Sequence, residues 1–272
     1  MSVAVNQSVT QIEPKVVRPD DPPAVWDQLW AHQPTQSKDD ALLRREACSD
    51  RWKTIVDRIE KSFGSLEGLS SIELGSGRGD FSALLAQRGV KVTLFDASTR
   101  ALDQARQRFE RLGIEGQFAT GDMLGDLGPW QGKFDLSLSS GVIEHFKGHN
   151  RSRVVSAHRE VLGPGGLSIM SVPNAWCVPY RVWKFYLELR GWWPYGMEIP
   201  YSPKELVKRA ENAGFDVIDA QCFGFWESLR IHWMKGLFGY HVDWPNRVSR
   251  LDKVMGLALV VFAKRPMETL YV

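Results

Sequence analysis

The chain has 272 residues, 43% of them apolar, enough for a sizeable core in one large domain or a domain with appendages. A formal net charge of +2 without a basic stripe excludes a nucleic-acid polyanion as the main partner. Cys48, Cys177 and Cys222 are too few and too scattered for a zinc signature or a disulfide framework, so no metal is expected; no apolar leader and no stretch of ~18 apolar residues are present, which points to a cytoplasmic protein.

Residues 1–22 are polar, hold Pro14, Pro19 and Pro22 and show no period, the composition of a disordered tail. Residues 23–67 read as a helical segment. Leu42, Leu43, Ala47, Trp52, Ile55, Val56 and Ile59 recur at helical spacing, with Ser37 as the expected N-cap and Gly64 as the stop. Trp26, Trp30 and Trp52 read as packing residues of these helices. Strands and helices alternate through residues 68–266. The first strand runs into Glu73-Leu74-Gly75-Ser76-Gly77-Arg78-Gly79-Asp80. Without a Cβ, each glycine admits backbone angles closed to other residues, lets a ligand lie against the main chain, and is expected to leave ligand-facing N–H groups. A dinucleotide loop needs G-x-G-x-x-G, and Asp80 stands where its last glycine belongs. Glu73 suits a ligand ammonium group, which a nicotinamide dinucleotide lacks.

This loop resembles the first motif, E/D-x-G-x-G-x-G, of the class I S-adenosylmethionine-dependent methyltransferases. The resemblance implies that Glu73, Gly75, Ser76, Gly77 and Gly79 hold the amino acid portion of that cofactor. Asp96, at the tip of the strand Lys91–Phe95 and followed by Ala97, is placed to accept both ribose hydroxyls, a position shared with dinucleotide folds. Asp122 closes the strand Gln117–Thr120. In the family pattern it meets the adenine amino group while Met123 packs on the ring; on the residues alone an Asx turn or a helix N-cap remains open.

The fourth strand, Phe134–Ser139, runs into Ser140, another expected cofactor residue, and then Glu144-His145-Phe146. An imidazole with an ordinary pKa near 6.5 suits proton removal at neutral pH, so His145 is the candidate base and Glu144 the group that orients it. A structural His145 bonded to a loop carbonyl is the open alternative. His149 and His158 read as surface residues. An amphipathic helix, the turn Leu162–Gly166 and a fifth strand, Leu167–Val172, follow. The succession from Leu69 to Lys264 resembles the small-molecule and lipid group of these methyltransferases, which includes the ubiquinone and menaquinone enzymes. It implies an α/β, Rossmann-like doubly wound sheet of seven strands, mostly parallel with an antiparallel last strand, and helices on both faces; in the related enzymes leading helices such as residues 23–67 cover the cofactor or form one wall of the substrate pocket.

Two insertions, residues 175–200 and 225–250, hold most of the eleven tryptophans and leave from the ligand side of the sheet. They are expected to cap the site, with Trp176, Tyr180, Trp192, Trp193 and Tyr195 walling an acceptor pocket; a small extra helical core is the open alternative for each tryptophan. Leu229–Phe238 mixes bulky apolar groups with cations, as an interfacial helix does, and suggests peripheral membrane contact. The expected activity is methyl transfer from S-adenosylmethionine to a small-molecule or lipid-like acceptor, at oxygen. A nicotinamide-dependent oxidoreductase and a catalytically idle S-adenosylmethionine-binding protein are the alternatives.

Overall fold

Seven strands make one sheet: β1 (Ser70–Leu74), β2 (Lys91–Asp96), β3 (Gln117–Thr120), β4 (Phe134–Ser140), β5 (Leu162–Pro173), β6 (Asp216–Phe223) and β7 (Ala258–Lys264). Their order is β3-β2-β1-β4-β5-β7-β6. The first five pair in parallel, and β7 runs antiparallel to both β5 and β6. The structure, a computed structural model, describes residues 26–27, 29–31, 35–237 and 249–267. The expected tail, residues 1–22, and the aromatic residues Phe238, Tyr240 and Trp244 of the second insertion lie outside the described residues.

Alternation along each strand divides the core into two layers, because successive side chains point to opposite faces of a sheet. Ile72, Leu74, Met170, Val172, Leu259 and Val261 face one side. There they meet Val154, Val155 and Val161 of α5 (Asn150–Val161) and Leu206 and Ala210 of α7 (Pro203–Asn212). Leu94, Leu136, Leu138, Ile169, Val260 and Phe262 face the other. That side is covered by α2 (Asp50–Phe63), α3 (Asp80–Ala86) and α4 (Thr99–Leu112). Trp52 of α2 is 1% exposed and stacks on Phe81 of α3 at 5.9 Å, so its reading as a packing residue stands. With helices on both faces the sheet is the doubly wound, Rossmann-like one expected.

Three local details differ from expectation. Ser37 is not a cap: α1 (Gln36–Ala47) starts behind Thr35, and the two hydroxyls lie 3.4 Å from each other. The leading helices break at Ser49, whose hydroxyl accepts from Trp52 N at 3.0 Å and caps α2. The glycine-rich stretch 163–166 is drawn into β5 as an irregularity, since Phe134 pairs Leu162 while Leu136 already pairs Leu167. His158, expected at the surface, is fully buried. Its Nδ1 and Nε2 lie 3.1 and 3.0 Å from the hydroxyls of Ser137 and Ser139, and burial pushes its pKa down to about 3. His149 is exposed, as expected.

Candidate active site

From β1 the chain runs outward to β3 and then returns to place β4 on the other side of β1, so the crossovers leave in opposite directions between β1 and β4. Open α/β sheets bind ligands at such a reversal, outside the carboxyl ends of the strands. A cavity of about 450 Å³ opens there. Of the expected cofactor residues, Glu73, Gly75, Ser76, Gly77, Asp96, Ala97, Asp122, Met123 and Ser140 line it.

The glycines are required by shape. Gly75, Gly77 and Gly79 take φ of 68°, 53° and 68°. An added Cβ would lie 2.5 Å from Val142 at Gly75 and 2.8 Å from the Trp30 ring at Gly77, while at Gly79 it would strike Leu94. Gly79 is absent from the cavity lining; it turns the chain into α3 and packs on Leu94 and Phe109, so its expected ligand contact is corrected to a packing role. The expectation of ligand-facing N–H groups also fails at four positions. Gly75 N and Ser76 N donate to Phe95 O, Gly77 N to Asp96 Oδ2 at 2.7 Å, and Gly79 N to Ser76 O. Close approach, rather than spare donors, is what these glycines provide.

The acids are positioned by backbone donors. Glu73 Oε2 accepts from Ser82 N at 3.0 Å and Ser82 Oγ at 2.5 Å, which ties β1 to the first turn of α3. Burial pushes its pKa up to about 7, against the pull of those bonds. Asp96 accepts from Gly77 N and, at 2.8 Å, from Ser98 N; burial raises its pKa, with the nearby Asp27 adding to the rise. Asp122 Oδ1 accepts from Leu124 N at 2.8 Å in an Asx turn, while the exposed side chain still borders the cavity.

His145 and Glu144 sit in a 3₁₀ turn after β4. The His145 Nδ1 lies 2.8 Å from Met197 O, and a carbonyl only accepts, so Nδ1 carries the proton and Nε2 is left basic. Burial pushes the pKa down to about 4, far below the ordinary value assumed from sequence. The ring borders the cavity and meets the edge of Trp26 at 5.1 Å. Glu144 is buried, its Oε1 is 4.0 Å from His145 Nε2, and burial beside Glu198 holds its pKa well above the carboxylate range. It does not border the cavity.

The five aromatic residues expected to wall an acceptor pocket are not in the cavity lining. Tyr180 is buried on Glu198, to which its hydroxyl donates. Trp193 packs between Tyr180 and Tyr195, and Trp176, Trp192 and Tyr195 are exposed. The first insertion folds onto itself, its two ends pinned by the Asn174–Tyr201 bridge, and only Met197 reaches the cavity. The aromatic wall comes instead from Trp26 and Trp30, with Phe81, Phe95 and Phe146. Arg51 of α2 adds a cation, bonded to both Glu46 oxygens and, at 3.2 Å, to Ser171 Oγ. Trp26 and Trp30, read from sequence as packing residues, are thus wall residues, as the resemblance allows for the leading helices; Arg51 is not singled out by the sequence, since an arginine on an amphipathic helix has many ordinary uses.

Residues 72–166, which include the glycine loop, Asp96, Asp122 and the His145 turn, match a methyltransferase domain family. Over 233 residues the chain is 27% identical to the ubiquinone biosynthesis O-methyltransferase of Sinorhizobium fredii, spanning 84% of this chain and 83% of that one. The chain is a class I S-adenosylmethionine-dependent methyltransferase. Its fold is also that of magnesium protoporphyrin IX methyltransferase from Synechocystis, solved with bound SAH (TM-score 0.56, 18% identity, 88% and 92% of the two chains). A putative methyltransferase from Bacillus halodurans is similar as well (TM-score 0.56, 18% identity, 78% and 99%). The nicotinamide alternative finds no support. Asp80, where the dinucleotide loop needs glycine, gives its carboxylate to Arg108.

The methyltransferase cofactor fits what the cavity offers. Ser76 Oγ is buried without a hydrogen-bond partner among the described residues and borders the cavity, so a ligand there would satisfy it. A Cβ at Gly75 or Gly77 would crowd the same wall. Among the described residues no helix is long and apolar enough to cross a membrane, and no group of three or more metal-ligating side chains occurs.

Proposed function

We propose that this methyltransferase, with residues 68–266 as its catalytic domain behind a helical segment 23–67, methylates an oxygen of a small-molecule acceptor. The relatives named as O-methyltransferases support the oxygen acceptor. The observation that carries the reading is the fixed tautomer of His145 at the cavity wall: Met197 O takes the Nδ1 proton and leaves Nε2 as an acceptor.

In this reading Glu73 and the loop Gly75–Gly77 hold the amino acid portion of S-adenosylmethionine, Asp96 the ribose, and Asp122 and Met123 the adenine. When bound, the cofactor supplies an electrophilic methyl group. The protein then has to align the acceptor oxygen and exclude water. Trp26, Trp30 and Phe146 dry the cavity wall, and His145 Nε2 would take the proton that the acceptor hydroxyl gives up on methylation. A buried imidazole is a weak base, so its contribution is greatest for an acceptor hydroxyl that is itself acidic, such as a phenol or an enol. Glu144, whose Oε1 lies 4.0 Å from His145 Nε2 and which does not border the cavity, is in this reading a group that orients the ring rather than one that touches the reactants.

Incubation of the protein with methyl-labelled S-adenosylmethionine and an extract of its host, followed by mass spectrometry, tests the activity. The expected product is a labelled methyl ether. Label found only on nitrogen or carbon would refute the oxygen acceptor, and cofactor binding without any label transfer would favour the idle alternative.

A further inference from the structure

The first insertion carries α6 (Val178–Leu189), whose outer face is apolar. Val178, Val182, Phe185 and Leu189 are 50%, 43%, 67% and 74% exposed. Their spacing of i, i+4, i+7 and i+11 sets them in one stripe along the helix. Trp176 before the helix and Trp192 after it are exposed as well. The inner face is occupied: Tyr180 and Lys184 are buried, and Trp233 of the π-helical turn Leu229–Leu237 donates to Pro179 O at 3.1 Å. Of the segment expected from sequence to lie on a membrane, Leu229, Ile231 and Trp233 are half-buried, whereas the stripe on α6 is exposed.

The charges beside the stripe decide what it meets. Arg181 and Arg190 are exposed on α6 and at its end, and no carboxylate of the described residues pairs with either. The Arg190 guanidinium lies 4.3 Å from the Trp192 ring centroid. Glu188, the acid on the same helix, is neutralised by Lys184. A second copy laid on this stripe would bring like charges together. Arginine and tryptophan around a Val/Phe/Leu stripe suit the boundary between anionic headgroups and acyl chains. We propose that the outer face of α6 docks on an anionic bilayer surface.

The whole stripe lies apart from the cofactor cavity, whose lining takes only Met197 from this insertion, so docking and cofactor binding are separable. Co-sedimentation of the full chain with phosphatidylglycerol–phosphatidylcholine vesicles, and with phosphatidylcholine alone, tests the proposal. The wild type is expected to bind the anionic vesicles. A Phe185→Glu/Leu189→Glu double variant should bind them ~10-fold less, and Arg181→Glu/Arg190→Glu should abolish the preference for anionic lipid. Unchanged S-adenosylhomocysteine affinity shows that each variant is folded. Wild-type protein that ignores every vesicle, or a Phe185/Leu189 variant that binds as well as wild type, overturns the proposal. So does a wild-type dimer that the same variant splits while neither protein binds vesicles, because the stripe would then join two copies of the chain.

Discussion

The Asp96 carboxylate accepts the Gly77 and Ser98 N–H groups, so a substitution there acts on the shape of the loop and on the proposed ribose contact together. Asp96→Ala is expected to weaken S-adenosylhomocysteine binding by ~2–3 kcal/mol in calorimetry, and to lower the melting temperature of the unliganded protein as two buried N–H groups lose their acceptor. His145 gives the pH prediction. Its pKa is lowered from 6.5 to about 4, so the neutral, proton-accepting form prevails at neutral pH, and the methyl-transfer rate should stay flat down to about pH 5 and fall as pH approaches 4. The same shift bears on stability with a definite sign. The folded pKa is depressed, so the contribution is complete above the unfolded value of 6.5 and is lost as pH falls through the folded value near 4. His145→Ala should cut turnover by ~10²–10⁴ if Nε2 takes the proton, with cofactor affinity unchanged; a loss under about tenfold would leave only the bond to Met197 O as its role.

Between elements, the buried polar contacts were the least legible part. His158 bridges α5 to two serines of β4 that lie 21 and 19 residues earlier in the chain. A histidine on a helix otherwise rich in polar residues gave no sign that Ser137 and Ser139 faced it. Removing the imidazole leaves two buried hydroxyls and a void, so His158→Ala should cost about 2–4 kcal/mol in urea unfolding while the folded protein keeps its cofactor affinity. The strand-end acids and the glycine loop were legible because strand, turn and helix follow one another locally, and the sheet then carries each strand end to one place. The cap was misjudged for the opposite reason. Leaving from the ligand side of the sheet does not fix where an insertion points, and the bridge from Asn174 to Tyr201 turns this one back on itself. Trp30 reaches the loop instead, through a leading segment whose Asp27 accepts from Ser98 Oγ and whose Trp30 carbonyl accepts from Gln104 at 2.6 Å.

Across the whole molecule, the sheet order makes one site from acids and glycines spread over residues 73–122, and the family match falls on the stretch that builds it. The reversal between β1 and β4 concentrates the proposed cofactor contacts at one cleft, while the elements after β5 supply the outward face. The same sheet order also bears on biosynthesis. β7 leaves the ribosome after both β5 and β6, yet its place is between them, bonded to both. Until it emerges, a nascent chain carries two strands with open edges and the core residues Val260 and Phe262 missing from one layer. Folding of that half of the sheet must wait until β7 has been made, and protein lacking residues 257–267 should collect in the insoluble fraction, whereas deletion of residues 1–22 should leave soluble yield unchanged.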